Sequence, residues 1–121
     1  MTLSRFAAAL FCAMALQPMA AGAAQPDAFP SRPVRLLSPF PAGSGPDAVA
    51  RMVGEQLTKD WGQPVVVEPR PGGNGFISME AVRRAAATGY DLGVVDVGHM
   101  AINPSLFRKL PYDPVKDYVP V

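Results

Sequence analysis

Histidine, cysteine and charge of one sign are all scarce in this chain, and each scarcity removes a class of chemistry. The 121 residues include one histidine, His99, and one cysteine, Cys12. A structural zinc site takes four Cys or His ligands, and a serine-hydrolase triad needs a histidine oriented by an acid. Here a metal would find only scattered carboxylates, and no strand-end loop concentrates them. Ser44 stands in Gly43-Ser44-Gly45, not in the Gly-x-Ser-x-Gly turn of a nucleophile elbow. We therefore expect no enzyme activity, no metal and no cofactor. Lysine plus arginine number 11 against 10 acidic residues, for a formal charge of +1, so there is no basic field for nucleic acid. The length fits one domain.

The first residues read as an export signal. Met1 to Arg5 carries one positive charge, Phe6 to Leu16 is apolar, and Gln17-Pro18 breaks the run before the small residues Ala20 to Ala24. An apolar run this short cannot span a bilayer, which takes ~20 helical residues. Cleavage is expected near Ala23 or Ala24, giving a signal peptide over residues 1–23, an exported mature chain over 24–121 and no stable membrane insertion. Cys12 is preceded by bulky Phe11 inside the apolar run, which excludes a lipid-modification site. The mature chain then lacks cysteine and must be held by its core.

Proline and glycine are plentiful instead, with 14 and 11 residues. They favour short elements joined by stiff turns. Gln25 to Pro33 reads as an arm over the surface. Val34 to Leu37 reads as a buried strand, followed by Ser38-Pro-Phe-Pro-Ala-Gly-Ser-Gly-Pro-Asp-Ala48 and a helix from about Pro46 to Asp60. Val49, Met52, Val53 and Leu57 form its apolar stripe, and Arg51, Glu55 and Lys59 its solvated row. Gly62 is the expected left-handed cap. Pro64 to Glu68 reads as a second strand, buried on both faces. A second glycine-rich turn, Pro69 to Gly75, leads into a helix from about Phe76 to Ala87 with Ile77, Ala81, Val82 and Ala85 inward. Gly89 closes it, and Tyr90 to Asp96 is a third, weaker strand. A short helix over Ala101 to Leu106 and a turn over Leu110 to Pro114 complete the reading.

Strand, helix, strand, helix, strand with right-handed crossovers gives an α/β fold, a parallel βαβαβ sheet in the order 2-1-3. Its switch point lies between the first and third strands, at their carboxyl ends. That placement brings Phe40, Ala42, Gly43, Ser44 and Asp47 beside Asp96, Gly98 and His99, with Asn74 as a second-loop contact. At such a turn the backbone N–H groups of residues 42 to 44 and the helix dipole form an anion cradle. Ser44 and Asp47 have capping-box spacing. The spacing Gly43-x-Gly45-x-x-Ala48, with Glu68 at the end of the second strand, also outlines a dinucleotide fingerprint, so an oxidoreductase is a rival reading.

Several blocks resemble the Bug family, the periplasmic receptors of tripartite tricarboxylate transporters. They are Arg32-Pro-Val-Arg-Leu36, Pro39-Phe-Pro-Ala-Gly43, Gly62-Gln-Pro-Val-Val-Val-Glu68, Arg70-Pro-Gly72, Ala101-Ile-Asn-Pro104 and Lys109-Leu-Pro-Tyr-Asp-Pro-Val-Lys-Asp117. The resemblance implies a two-lobed binding protein that closes on a small carboxylated solute and delivers it to membrane transporter subunits. It also implies that this chain is the incomplete first lobe, so a truncated product without independent binding is an alternative. After the third strand the family usually carries small hydroxyl residues, where this chain has Asp96, Val97, Gly98 and His99. Either the solute here is less anionic, or Asp96 points away, or the chain is a decaying fragment.

Overall fold

The computed structural model describes residues 28–121, so the export signal expected over residues 1–23 lies outside the described residues. Strands β1 (Val34–Ser38), β2 (Val65–Pro69) and β3 (Asp91–Gly93) form one parallel sheet in the order β2-β1-β3, as expected. Arg35 is aligned with Val66 on one side and Asp91 on the other, and Leu37 with Glu68 and Gly93. Helix α1 (Gly45–Trp61) joins β1 to β2, and α2 (Phe76–Arg84) joins β2 to β3. A single 3-10 turn, Gly73–Gly75, precedes α2, and a π-helical turn, Gly98–Ile102, runs into α3 (Asn103–Leu106).

The two long helices cover opposite faces of the sheet. On one face, the Cα of Gly54 in α1 comes so close to β1 and β2 that an added Cβ would lie 3.6 Å from Leu36 Cδ1 and 3.5 Å from the Val65 carbonyl. On the other, Val82 of α2 packs onto Gly93, which shares a face with Leu37. Alternate residues of a strand point to opposite faces, so Leu36 meets α1 and Leu37 meets α2. Val34, Leu36, Leu37, Ala50 and Met79 are buried together with Ser38.

Helix α1 has the predicted ends but a different inner face. Ser44 caps the start, Pro46 lies in the first turn, and Gly62 ends it at φ 66° with its N–H donated to the Thr58 carbonyl. The buried residues are Asp47, Ala50 and Gly54, whereas Val49, Met52 and Val53 are exposed. Small residues win the inner face because they let the helix backbone lie directly on the strands. Thr58 fastens the junction: its Oγ1 donates to Gly54 O at 2.8 Å and accepts from Val65 N at 2.9 Å.

Three other expectations are corrected. Val66 is 46% exposed, because β2 is an edge strand among the described residues and α2 lies over β1 and β3. Helix α2 stops at Arg84, and its buried residues are Ser78 and Met79, with Ile77 exposed. Strand β3 is three residues long, because after Val94 N–H bonds to Leu37 O the chain turns into the Asp96 cap described below. At the opposite end of the sheet the lead-in arm is anchored by Phe29, whose ring meets Tyr90 at 5.0 Å and Trp61 at 6.1 Å.

Candidate functional site

Parallel strands deliver their loops to one edge, and the loops after β1, β2 and β3 converge there. The first is closed by its own side chains. Asp47, 1% exposed, turns its carboxylate back into the loop: Oδ2 accepts from Gly43 N at 2.9 Å and from Arg51 Nε at 2.9 Å. Ser44 Oγ donates to Pro41 O at 2.7 Å and accepts weakly from Asp47 N at 3.4 Å, while Ser44 N donates to Pro41 O at 3.1 Å. This is the reciprocal logic of a capping box, with the acid reaching one residue beyond the cap. Gly43 sits at φ 80°, which is what turns its N–H toward Asp47. The Arg51 hydrogen bond, then the Gly43 N–H, holds the Asp47 carboxyl below the usual carboxylate range despite its burial.

This geometry corrects two sequence expectations. Asp47, placed among the ligand contacts, faces the protein and acts on the loop through Gly43. Of the three loop donors expected at residues 42 to 44, Gly43 N–H and Ser44 N–H are taken internally, and Ala42 N–H is the one with no partner among the described residues. Ala42 and Gly43 are exposed, and Phe40 stands half-buried at the edge of the shelf.

The second loop carries Asn74 exposed at φ 51°, a left-handed position that asparagine tolerates. The third loop is folded on itself. Asp96 Oδ1 accepts from His99 N at 3.1 Å and lies 2.6 Å from His99 Nδ1. Gly98 makes room for this, since a Cβ there would lie 2.9 Å from Asp96 Oδ1. Burial works to raise the Asp96 pKa, but the His99 N–H, the His99 ring and the Gly98 N–H outweigh it and leave it lowered. Of the alternatives for Asp96, the geometry favours a carboxylate turned back onto its own helical turn.

His99 itself is 8% exposed, its ring edge-on to Phe40 at 5.7 Å and pressed against Gly75. Two residues missed in the sequence lie beneath it. Tyr112 Oη donates to His99 O at 2.5 Å, and buried Asn103 donates through Nδ2 to both Tyr112 Oη (3.2 Å) and Asn74 O (3.1 Å). Their signal was the Asn103-Pro104 and Pro111-Tyr112 pairs inside the shared blocks.

Ser44 and His99 make no hydrogen bond to each other, and Glu68 is engaged by Arg70 at 3.1 Å and Arg35 at 3.8 Å. Among the described residues no group of three or more His, Cys, Asp or Glu could hold a metal, and no helix is long and apolar enough to cross a membrane. An open groove of about 560 Å³ between α1 and β2 is lined by Arg51, Glu55, Thr58, Lys59 and Val65 to Val67. It lies on the flank of the sheet, away from the strand-end loops, and we do not regard it as the solute site.

Comparison with known proteins agrees with this architecture. Residues 49–121 match the tripartite tricarboxylate transporter family receptor. A UPF0065 protein of Bordetella bronchiseptica is 42% identical over 112 residues, covering 93% of this chain and 33% of the relative. MatC from Rhodopseudomonas palustris, solved with bound malate, superposes with a TM-score of 0.74 at 38% identity over 77% of this chain and 32% of its own. A second R. palustris protein, Rpa4515 with adipate, gives a TM-score of 0.68 at 34% identity, covering 71% of this chain and 29% of its own. The chain thus spans about a third of the length of the curated relatives it matches, and its βαβαβ sheet is part of the fold of two-lobed periplasmic binding proteins. With a family match over more than half its residues, the chain belongs to the tripartite tricarboxylate transporter receptor family.

Proposed function

We propose that this chain serves as a periplasmic receptor for a small organic carboxylate, which it passes to a tripartite tricarboxylate-type membrane transporter. Residues 24–121 supply loops of the first lobe, after removal of residues 1–23 as an export signal. The reading rests chiefly on Ala42: its N–H is left open at the carboxyl end of β1 and the start of a 17-residue helix. A carboxylate there gains a charge-assisted hydrogen bond and the favourable end of the helix dipole. The bound malate and adipate of the two R. palustris relatives are of the same chemical class. Phe40 and Asn74 flank the solute, while Gly43, Ser44, Asp47, Asp96, Gly98 and His99 shape the shelf.

The shelf is open to water, so each hydrogen bond contributes only ~1 kcal/mol net, and a few of them imply affinity of the order of millimolar. Amide NMR of the full chain, titrated with malate and with adipate, tests this. Saturating shifts at Ala42 and across Gly72 to Asn74 are expected. Silence at those amides up to tens of millimolar, or a response to NAD in their place, would overturn the assignment.

A further inference from the structure

We infer that His99 is a positioning residue, a wedge whose ring, set between Phe40 and Gly75, fixes how far apart the first and second loops stand. Where β1 and β2 end, the last hydrogen bond between them is Arg70 N to Ser38 O at 2.6 Å. Beyond it no hydrogen bond joins the two loops among the described residues, and they meet through apolar contact and the histidine. A Cβ built on Gly75 would lie 3.3 Å from Pro39 Cβ and would overlap His99 Nε2 and Cδ2. The same ring stands edge-on to Phe40, at 84° and 5.7 Å.

The wedge is itself held at three points. Asp96 grips Nδ1 at 2.6 Å and accepts the His99 N–H, which fixes the ring's rotation. Tyr112 Oη donates to the His99 carbonyl, and Asn103 links Tyr112 Oη to Asn74 O. The side chain of His99 thus reaches Gly75, and its main chain reaches Asn74 through two buried polar groups. A buried ring with fixed rotation cannot yield without moving a loop, because interiors are close-packed. Ala42 lies two residues after Phe40, and Asn74 directly precedes Gly75. Given the solute reading above, on which this consequence rests, the ring sets the spacing between the Ala42 N–H and Asn74, on either side of the solute.

The experiment compares the full chain with His99→Ala, and Gly75→Ala with the double variant Gly75→Ala/His99→Ala. Hydrogen exchange at residues 40–44 and 72–75 is followed without solute, and malate titration is followed by amide shifts. His99→Ala is expected to speed exchange in both loops at unchanged far-UV circular dichroism and to weaken malate at least tenfold. Gly75→Ala is expected to destabilise the parent chain much more than it does the His99→Ala background, where the new methyl finds the space left by the ring. Unchanged loop exchange in His99→Ala would overturn the inference, and so would equal effects of Gly75→Ala in both backgrounds. Should the parent chain fail to respond to malate, the solute reading falls alone, since loop exchange and the 75–99 coupling still decide the role of His99. If His99→Ala does not fold, His99→Gln takes its place in both comparisons, with the same outcomes deciding.

Discussion

His99 occupies the space that any side chain at Gly75 would need. The backbone at residue 75 is also left-handed, at φ 84°. Gly75→Ala therefore combines backbone strain with a steric clash against a buried ring, and we expect a loss of ~2 kcal/mol or more. Urea unfolding followed by circular dichroism measures it. A midpoint unchanged from the parent would mean that the ring moves aside at no cost.

Tyr112→Phe tests the polar relay below the loops. The variant keeps the ring but removes the hydroxyl that donates to His99 O and accepts from Asn103 Nδ2. Both partners are buried, so the expected cost is about 1 to 2 kcal/mol. Faster exchange should appear around Asn74 if Asn103 loses its orientation. A stability equal to the parent's would show that water replaces the hydroxyl.

Helix α1 offers a paired test of its orientation. Met52 is 70% exposed, so Met52→Ser should change stability by no more than ~0.5 kcal/mol. Gly54 faces the sheet, yet a Cβ there would sit at ordinary van der Waals distances, 3.5 Å from Val65 O. Gly54→Ala should therefore stabilise by about 0.5 to 1 kcal/mol, through helix propensity and a stiffer unfolded chain. Strong destabilisation by Met52→Ser would mean that the helix presents its valine and methionine stripe inward after all.

Acid should weaken the fold through three carboxylates. Asp47 is lowered by Arg51 and the Gly43 N–H, Asp96 by the His99 and Gly98 contacts that outweigh its burial, and Asp113 by the Val115 and Lys116 N–H groups. A depressed folded pKa gives stability that is present above the unfolded value, near 4, and lost as pH falls through the folded value. The urea midpoint should thus decline below about pH 4. In Asp47→Asn the decline should be shallower, because one of the three groups no longer titrates.

Base should act through Tyr118. Burial, then the Asp117 charge, pushes its hydroxyl pKa up, and that hydroxyl donates to Met79 O at 2.8 Å. A raised folded pKa gives stability that is complete below the unfolded value of about 10 and lost as pH rises toward the folded one. Absorbance at 295 nm during alkaline titration should show a tyrosine component that ionises above the ordinary tyrosine range. Tyr118→Phe should remove that late component, and its persistence would assign the late group elsewhere.

The sequence by itself determined the order of elements and the topology. Val34 to Leu37 and the valine run at 65–67 could only be short strands, and Gly62 and the Ser44 cap bounded α1 to within a residue. Right-handed crossovers then made 2-1-3 the simplest order, with one edge for the loops, because local capping and chain chirality act over neighbouring residues. Tertiary structure decided which face of each helix is inside. Periodicity marks a stripe of valine and methionine on α1, but close approach to the strands selected Ala50 and Gly54, a preference that depends on what lies opposite. It also decided the fate of the loop donors. Whether Gly43 N–H meets a solute or Asp47 depends on the turn of one carboxylate, and whether His99 faces water or Gly75 depends on loops from three separate strands meeting at one edge. Such contacts join residues far apart in the chain, so no local pattern records them.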